Sequence, residues 1–435
     1  MNTKKIVNII DYILAIMIIM NCNTVFERSI NVNFHIQELG CIFVYVSIIM
    51  LGALFGLNRS TIFKWLKIMI WYIPLVGIYF VFRNKIMMKT TYIHLFFLFF
   101  PGILLYVYLE SKKNLRMNLY KSIADIMFVV GSISSVVWFL SNIIGVLHPS
   151  GKMIVNWGGE RIYESFWGIH YQIAWQSIKI FGLTGYRNIS FFCEAPSLSL
   201  MLTFALIYEL YFREEQKSAI KIRFKNIFGK YEKTLEKQEC FRLIRVIVLV
   251  LSNVTTFSAT GYILMIVAFI LKYVRTDKIN RRNIIKKLAF PIIIIIAGSL
   301  IYVVWNQKAD SPQWLTRFDD YIVGISAWKS NKILGVGFGN VDALIPYMST
   351  FRSSNTGISS GLFAVLAQGG IILALVYLFP LIGGIVCTGV QKKKNMCAFL
   401  MLATIEFIVT YFSYTFLMLL ILAYGYLAID SEQQL

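Results

Sequence analysis

The chain has 435 residues, of which 57% are hydrophobic, and its mean hydropathy is +0.66. A soluble globular protein has an apolar share nearer to half, so this composition excludes a soluble fold and indicates a membrane protein. The formal net charge of +20 does not indicate a nucleic-acid partner, because the 42 lysines and arginines form short clusters between apolar runs, as cytoplasmic loops do.

The six cysteines occur singly, without a Cys-x-x-Cys pair. Most of them lie in apolar runs, where cysteine packs as a small hydrophobic residue. The sequence therefore predicts neither a disulfide framework nor a metal site, and we expect no cofactor. The four histidines (His35, His94, His148 and His170) are too far apart in sequence to form a zinc motif.

Membrane-spanning helices need about 20 apolar residues each. Suitable single runs lie at residues 6–22, 39–57, 65–82, 91–109, 122–147, 190–212, 288–305 and 358–388. Two further stretches, 241–274 and 396–428, are too long for one span and are polar near the middle, so each predicts two short spans that meet at a turn. The prediction is an all-α polytopic protein with about twelve transmembrane helices, forming one membrane domain over residues 1–435.

Positive charge predicts the orientation of these spans, because cytoplasmic loops retain lysine and arginine. Placing both termini in the cytoplasm puts about two-thirds of the positive residues on that side, although Arg83, Lys85 and Lys89 fall outside. The basic loop 213–240 is then cytoplasmic, and the long segments 148–189 and 306–357 face outward. Long irregular segments are usually functional, so the outer face is the predicted place of any chemistry.

The first outward segment is dense in aromatic residues, including Trp157, Trp167 and Trp175, interleaved with charges such as Arg161. Aromatic rings in this position either form an interfacial belt or present flat apolar faces to the CH side of a sugar. Both interpretations stay open at this point.

The segment GYRNISFFCEAPS, residues 185–197, follows directly. Pro196 cannot continue a helix from upstream and pushes Ala195 toward extended backbone, so a membrane helix is predicted to begin near Pro196. Glu194 then lies at the membrane boundary beside a helix N-terminus, where an ionisable group is a functional hypothesis. The alternatives are that Glu194 only pairs with Arg187, or that Arg187 only reaches lipid headgroups.

The next outward turn, SNVTTFSATGY at residues 252–262, places hydroxyl groups between two short helices. Ser258 and Thr260 either cap the following helix or offer hydrogen-bond donors to a ligand.

The second outward segment contains an amphipathic pattern from Trp314 to Trp328, with Arg317, Asp320 and Lys329 off the apolar stripe. It predicts a helix that lies in the membrane interface. Gly335, Gly337 and Gly339 then form a flexible turn. This turn lacks the preceding strand of a nucleotide-binding loop, so we expect its backbone to approach a substrate or the membrane.

Together these motifs resemble the superfamily of O-antigen polymerases and O-antigen ligases, whose polymerases are often called Wzy-type. The resemblance rests on three blocks in the expected order, over roughly the C-terminal two-thirds of the chain. They are Arg187 with Glu194 and Pro196; the turn Ser258, Thr260, Gly261 and Tyr262; and Arg317 with Trp328, Gly335, Gly337 and Asn340. The segment 355–378 also resembles the helix after the family's large outer loop.

Three departures favour a polymerase over a ligase. Ala195 separates Glu194 from the proline, Ala259 stands where ligases tend to have an arginine, and Ser353 and Ser354 stand where ligases tend to have a histidine.

The resemblance implies a GT-C-like, multi-pass protein of the bacterial cytoplasmic membrane that joins polyprenyl-pyrophosphate-linked repeat units of O-antigen, capsule or exopolysaccharide. The implied glycosyl transfer is inverting and metal-independent. Its implied partners are the lipid-linked glycan donor and acceptor, membrane lipids, a chain-length regulator and a flippase.

In this interpretation Arg187 and Arg317 stabilise the pyrophosphate, and Glu194 accepts the acceptor proton or orients an arginine. The predicted substrate-binding residues are Ser258, Thr260, Tyr262, Lys329, Gly337, Arg352 and Asn355. The competing hypotheses are a ligase, a transporter or flippase for lipid-linked sugars, and a non-catalytic assembly subunit. A transporter built from two similar halves is disfavoured, because the halves show no repeat.

Overall fold

A computed structural model describes residues 3–82, 86–112, 117–180, 183–213, 221–225, 232–274, 312–352 and 356–430. These parts of the chain are mostly helical. The helices are α1 (Thr3–Met20), α2 (Ile36–Phe55), α3 (Arg59–Phe82), α4 (Lys89–Tyr92), α5 (Phe100–Lys112), α6 (Asn118–Phe139), α7 (Ala195–Tyr211), α8 (Lys237–Thr255), α9 (Ala259–Val274), α10 (Pro312–Ser330), α11 (Gly361–Val390), α12 (Lys394–Val409) and α13 (Phe416–Ile429). A π-helical turn, Ile93–Phe99, joins α4 to α5, and another, Leu140–Ile144, extends α6.

Five of the described helical segments are long and apolar enough to cross a membrane: Ile36–Phe55, Arg59–Phe82, Lys89–Ser111, Asn118–Ile144 and Gly361–Val390. Large apolar side chains on these segments face away from the protein. Ile49 is 70% exposed, Ile70 is 72% exposed and Val390 is 78% exposed. Such surfaces are unfavourable in water and favourable against lipid, which agrees with the membrane protein that the composition predicts.

Both long apolar stretches break where their sequences turn polar. The first stretch divides between Thr255 and Ala259, and the second divides between Val409 and Phe416. The predicted division of 241–274 and of 396–428 is therefore confirmed. The span predicted at 288–305 lies outside the described residues.

Two short helices form the centre of the bundle. Nearly every residue of α7 and of α13 is buried, which is the property of a helix that is hydrophobic all round. α7 packs against α6, α8 and α9, and α13 packs against α5 and α11. The N-terminus of α7 is consequently held in a fixed place by helices on several sides.

The segment predicted as an irregular outward loop is folded into strands, and the all-α prediction is wrong there. Strands β1 (Gly151–Asn156), β2 (Glu160–Phe166) and β3 (His170–Gln172) form an antiparallel sheet, and β4 (Ser177–Ile180) pairs with β5 (Leu183–Tyr186). We call residues 151–186 the β unit. Its signal in the sequence is Gly158 and Gly159, both at positive φ, between two β-branched and aromatic runs.

A second core attaches the β unit to the helices. Val155, Tyr163 and Tyr171 from the sheet pack with Cys193 and Ala195 at the start of α7. The backbone N–H of Tyr171 also donates to the carbonyl of Ser190 at 2.7 Å. The sheet therefore positions the chain that leads into α7.

The predicted basic loop 213–240 also contains strands. β6 (Lys221–Lys225) pairs with β7 (Glu232–Glu236) as an antiparallel hairpin.

The amphipathic helix predicted from Trp314 to Trp328 is confirmed as α10. Phe318 is 65% exposed and Ile322 is 49% exposed on its outer face, whereas Asp319 and Asp320 are buried. α10 packs along α11, so Asp319 and Asp320 are turned toward the protein together with Val323 and Ala327, whereas Phe318 and Ile322 face away from it.

Four charged side chains from α6, α8, α7 and the residues just after α7 form an ion-pair ring of Asp125, Glu209, Arg213 and Arg245. Arg245 bonds Glu209 at 2.7 Å and Asp125 at 2.5 Å, and Arg213 bonds the same two carboxylates at 2.5 Å each. Tyr12 of α1 donates a further hydrogen bond to Asp125 at 3.1 Å. Asp125, which the sequence placed in a span, therefore joins neighbouring helices.

We expect Arg245→Met to lower the free energy of unfolding by about 3 to 5 kcal/mol, because Asp125 and Glu209 are then left to share one arginine, Arg213, and one negative charge has no counter-charge in the ring. Chemical unfolding of the detergent-purified protein measures this change. Arg59→Met removes an exposed arginine at the start of α3 and should stay within about 0.5 kcal/mol of the parent protein. Equal stability of the two variants would contradict a structural role for the ring.

Candidate functional site

The site begins at the chain segment after the β unit, which is fixed to the turn between α8 and α9. The backbone N–H of Asn188 donates to the carbonyl of Thr255 at 3.0 Å. The guanidinium Nε of Arg187 donates to the carbonyl of Thr256 at 2.9 Å. Arg187 is thereby held against the turn whose hydroxyl residues the sequence singled out.

Glu194 is the N-cap residue of α7. Its backbone is extended (φ −154°, ψ 158°), its side chain makes no capping hydrogen bond, and the helix begins at Ala195. The predicted helix start is confirmed to within one residue, although the extended residue is Glu194 and not Ala195. Because its carboxylate is not used as a cap, it remains available to the groups around it.

Arg317 comes from α10, far along the chain. One of its terminal N–H groups donates to the hydroxyl of Thr260 at 3.0 Å, at the start of α9. This contact brings the second outward segment to the same turn as Arg187. Thr260 therefore does more than cap a helix, since it holds a catalytic candidate in place.

The charges of these groups act on one another. Burial lowers the pKa of Arg187 to about 10, while Glu194 opposes this effect and Arg317 adds to it. Burial raises the pKa of Glu194, and the positive charges of Arg317, Arg187 and Arg161 counteract the rise. The three residues that the sequence assigned to catalysis are therefore neighbours in the structure, although Arg317 is distant in sequence.

Arg161 and Trp157 belong to the same site and were not assigned a role from sequence. The Trp157 side chain stabilises the charged form of Glu194, and the Arg161 guanidinium lies 4.5 Å from the ring centre of Trp175. Their signal was the alternation of aromatic and charged residues in the first outward segment. We call Arg161, Arg187, Arg317 and Glu194 the arginine site.

A further carboxylate borders this site from α12. Glu406 is buried and lies close enough to Arg317 for their charges to interact. With three arginines and two glutamates, the arginine site and its border carry a positive excess. Such an excess favours an anionic ligand.

The arginines differ in the number of hydrogen bonds that they donate within the protein. Arg187 and Arg317 each donate one hydrogen bond within the described parts of the chain, so their remaining N–H groups can serve a ligand. Arg352 instead donates four, to Asp319, Asp320 and the carbonyls of Thr316 and Gly357. The structure thus makes Arg352 a clamp between α10 and the start of α11, and its role as a substrate ligand stays a prediction.

The other residues that were predicted to bind the substrate differ in their contacts and exposure. The Ser258 hydroxyl accepts from the N–H of Gly261 at 3.4 Å and so caps α9. The Tyr262 hydroxyl donates to the carbonyl of Val254 at 2.6 Å, and its ring lies near Arg187. Lys329 is exposed in the last turn of α10, and Asn355 lies outside the described residues.

Two further features concern the histidines and metal binding. Burial lowers the pKa of His170 to about 3, so this histidine is neutral at physiological pH. Among the residues that the structure describes, no group of histidine, cysteine and carboxylate side chains is suited to hold a metal ion.

The glycine turn after α10 packs against a break in α11. Gly370 interrupts that helix with φ 59° and ψ −157°, and Gly337 N–H donates to the carbonyl of Gln368 at 3.0 Å. An added Cβ at Gly335 would lie 2.5 Å from the carbonyl oxygen of Ala367. The backbone of this turn closely approaches α11, and the contact of Gly337 with a substrate stays a prediction.

We expect Gly335→Ala to lower the free energy of unfolding by about 2 to 4 kcal/mol, because the new methyl group overlaps α11 and Gly335 has a φ of +62°. Gly389→Ala, in the same helix as the break, meets no atom within 4 Å and should be neutral or slightly stabilising. Unfolding midpoints of the two variants measure the difference. A Gly335→Ala protein as stable as Gly389→Ala would show that the contact is unimportant.

No protein-family model matches this chain, and no curated protein matches it significantly.

Proposed function

We propose that this chain is a multi-pass membrane glycosyltransferase that polymerises polyprenyl-pyrophosphate-linked repeat units of a bacterial surface polysaccharide. The observation that carries the proposal is the arginine site, in which three guanidinium groups lie close enough to the Glu194 carboxylate, at a helix N-terminus, for their charges to interact. Available N–H groups on two of these arginines match the oxygens of a pyrophosphate.

The proposed topology places about twelve spans in the cytoplasmic membrane of a bacterium, with both termini in the cytoplasm. The charge distribution of the loops supports this orientation. It puts the arginine site and the β unit at the outer face, where assembled glycans are found, and it puts the hairpin of β6 and β7 inside.

The reaction needs an anion-stabilising group and a base. The acceptor hydroxyl attacks the anomeric carbon from the side opposite the leaving group, and its proton passes to the carboxylate of Glu194. The bond between this carbon and the pyrophosphate oxygen breaks, and the lipid pyrophosphate leaves with the electron pair. Arg187 and Arg317 stabilise the negative charge that develops on it, and Arg161 adds to their field.

We expect Arg187→Ala and Arg317→Ala to lower the polymerisation rate by about 10² to 10³, because each removes one donor to the leaving group. Lysine at either position keeps the charge but loses the planar fork, so it should restore only part of the activity. The polysaccharide ladder of cells that express each variant measures this. Lys152→Ala, on the exposed surface of β1, is the control, and a normal ladder in Arg187→Ala would overturn the assignment.

The pH dependence should follow Glu194, because only its deprotonated form accepts a proton. Its raised pKa places the acidic limb of kcat/KM above the pH at which an ordinary glutamate titrates, and activity rises with pH through that limb. Arg317 lowers this pKa, so in the residual activity of Arg317→Ala the limb should move to higher pH. Arg161, Arg187, Tyr163 and Cys193 also interact with Glu194 and stay unchanged in this variant. A limb at the parent position would contradict Glu194 as the base.

The transporter hypothesis is less favoured by the positions of the intramembrane acids. Asp11 accepts hydrogen bonds from Tyr106 and Asn118, Asp125 belongs to the ion-pair ring, and Glu406 borders the arginine site. Each acid thus has local partners. A ligase remains the second candidate, and Ala259 with Ser353 and Ser354 favours the polymerase.

A further inference from the structure

A cavity of about 230 Å³ lies in the segment between α1 and α2, which neither the resemblance nor the mechanism uses. Phe26 and Phe34 contribute two aromatic rings, packed edge to face with centroids 5.5 Å apart. The polar lining includes Glu27, Arg28 and Asn33. We call it the Glu27 pocket.

Glu27 and Arg28 have incomplete hydrogen bonding. Oε1 of Glu27 accepts from Asn21 at 2.8 Å and from Gln37 at 3.4 Å, whereas its buried Oε2 has no hydrogen-bond partner among the described residues. Within the same described part of the chain, Nε of Arg28 is also without a hydrogen bond, at 3.9 Å from that oxygen. Buried polar atoms are normally hydrogen-bonded, so this acceptor and this donor, side by side in the lining of the pocket, are suited to hydrogen-bond a ligand.

The charges of the pocket select against phosphate. Glu27 and Glu38 line it together with Arg28, so it lacks the positive excess of the arginine site. A ligand with hydroxyl groups can pair with both of these atoms, because one hydroxyl donates to the Glu27 carboxylate and another accepts from the Arg28 guanidinium. The flanking rings suit the apolar CH face of the same ligand. These properties together describe a neutral sugar ring.

The pocket is attached directly to the segment that carries Glu194. The N–H of Val25 donates to the carbonyl of Phe191, and the N–H of Cys193 donates to the carbonyl of Asn23, both at 2.9 Å. The Arg28 guanidinium lies 5.8 Å from the ring centre of Trp157, the residue that also interacts with Glu194. Trp157 therefore separates the pocket from the arginine site.

We propose that the Glu27 pocket binds a neutral sugar ring of the acceptor glycan, beside the arginine site that takes the donor pyrophosphate. This inference rests on the proposed function. It gives the two sides of Trp157 different ligands, an uncharged sugar on one side and an anion on the other.

The test uses full-length protein in lipid nanodiscs and oligosaccharides released by partial acid hydrolysis of the producing cell's own surface polysaccharide. Saturation-transfer NMR measures their binding without requiring turnover. We expect Glu27→Gln and Phe34→Ala to weaken binding about tenfold or more. Glu160→Gln changes an exposed carboxylate on β2 that does not line the pocket, and this variant should bind as the parent protein does. Phe34 is 37% exposed, so its variant tests the pocket even where Glu27→Gln fails to fold.

The outcomes separate the two proposals. Weaker binding in both variants, with an unchanged control, supports the pocket. If the parent protein nevertheless does not extend lipid-linked chains, the proposed function alone fails. Polymerisation by the parent protein, with unchanged oligosaccharide binding in Phe34→Ala and in folded Glu27→Gln, would overturn the pocket and leave the proposed function intact.

Discussion

The arrangement of the chain around the start of α7 depends on the attraction between the Glu194 carboxylate and the guanidinium groups of Arg187 and Arg317. Each partner comes from a different part of the chain, and each is held by its own support. Burial disfavours the charged forms of Arg187 and Glu194, and the attraction between these two groups offsets part of this effect. A site that is desolvated, cationic in excess and only partly neutralised is suited to bind an anion.

The elements that hold the site residues in place account for much of the surrounding architecture. The β unit and the second core position the segment that contains Arg187, and α7 positions Glu194 because it is buried by helices on several sides. Arg352 fastens α10 through Asp319 and Asp320, next to Arg317 in the chain. Arg352 thus supports the helix that carries Arg317.

Local sequence rules predicted the features that depend on local physics. Pro196 fixes the start of α7 because proline cannot continue a helix, and polar residues divide both long apolar stretches because a buried helix end needs capping groups. The grouping of Arg187, Glu194 and Arg317 was expected from the resemblance and from the predicted orientation of the spans, which places both long segments on the same side. The structure brings these residues together.

The features that sequence analysis missed depend on partners distant in the chain. Gly335 fits against Ala367, and Arg352 pairs with Asp319 and Asp320, so neither role is visible in a local pattern. The β unit was missed because its strands are short and the aromatic residues suggested an interfacial loop, although Gly158 and Gly159 marked a hairpin. Glu27 lay in a connection without any motif, and only its oxygen, which has no hydrogen-bond partner among the described residues, draws attention to it.

The central claim is that this protein joins lipid-linked glycans through the arginine site. The most direct measurement incubates the purified protein, in proteoliposomes without ATP or an ion gradient, with polyprenyl-pyrophosphate-linked repeat units, and resolves the products by chain length. The account predicts a ladder of longer lipid-linked chains together with release of polyprenyl pyrophosphate. Repeat units that remain single, whether they stay in place or cross the bilayer, would contradict it.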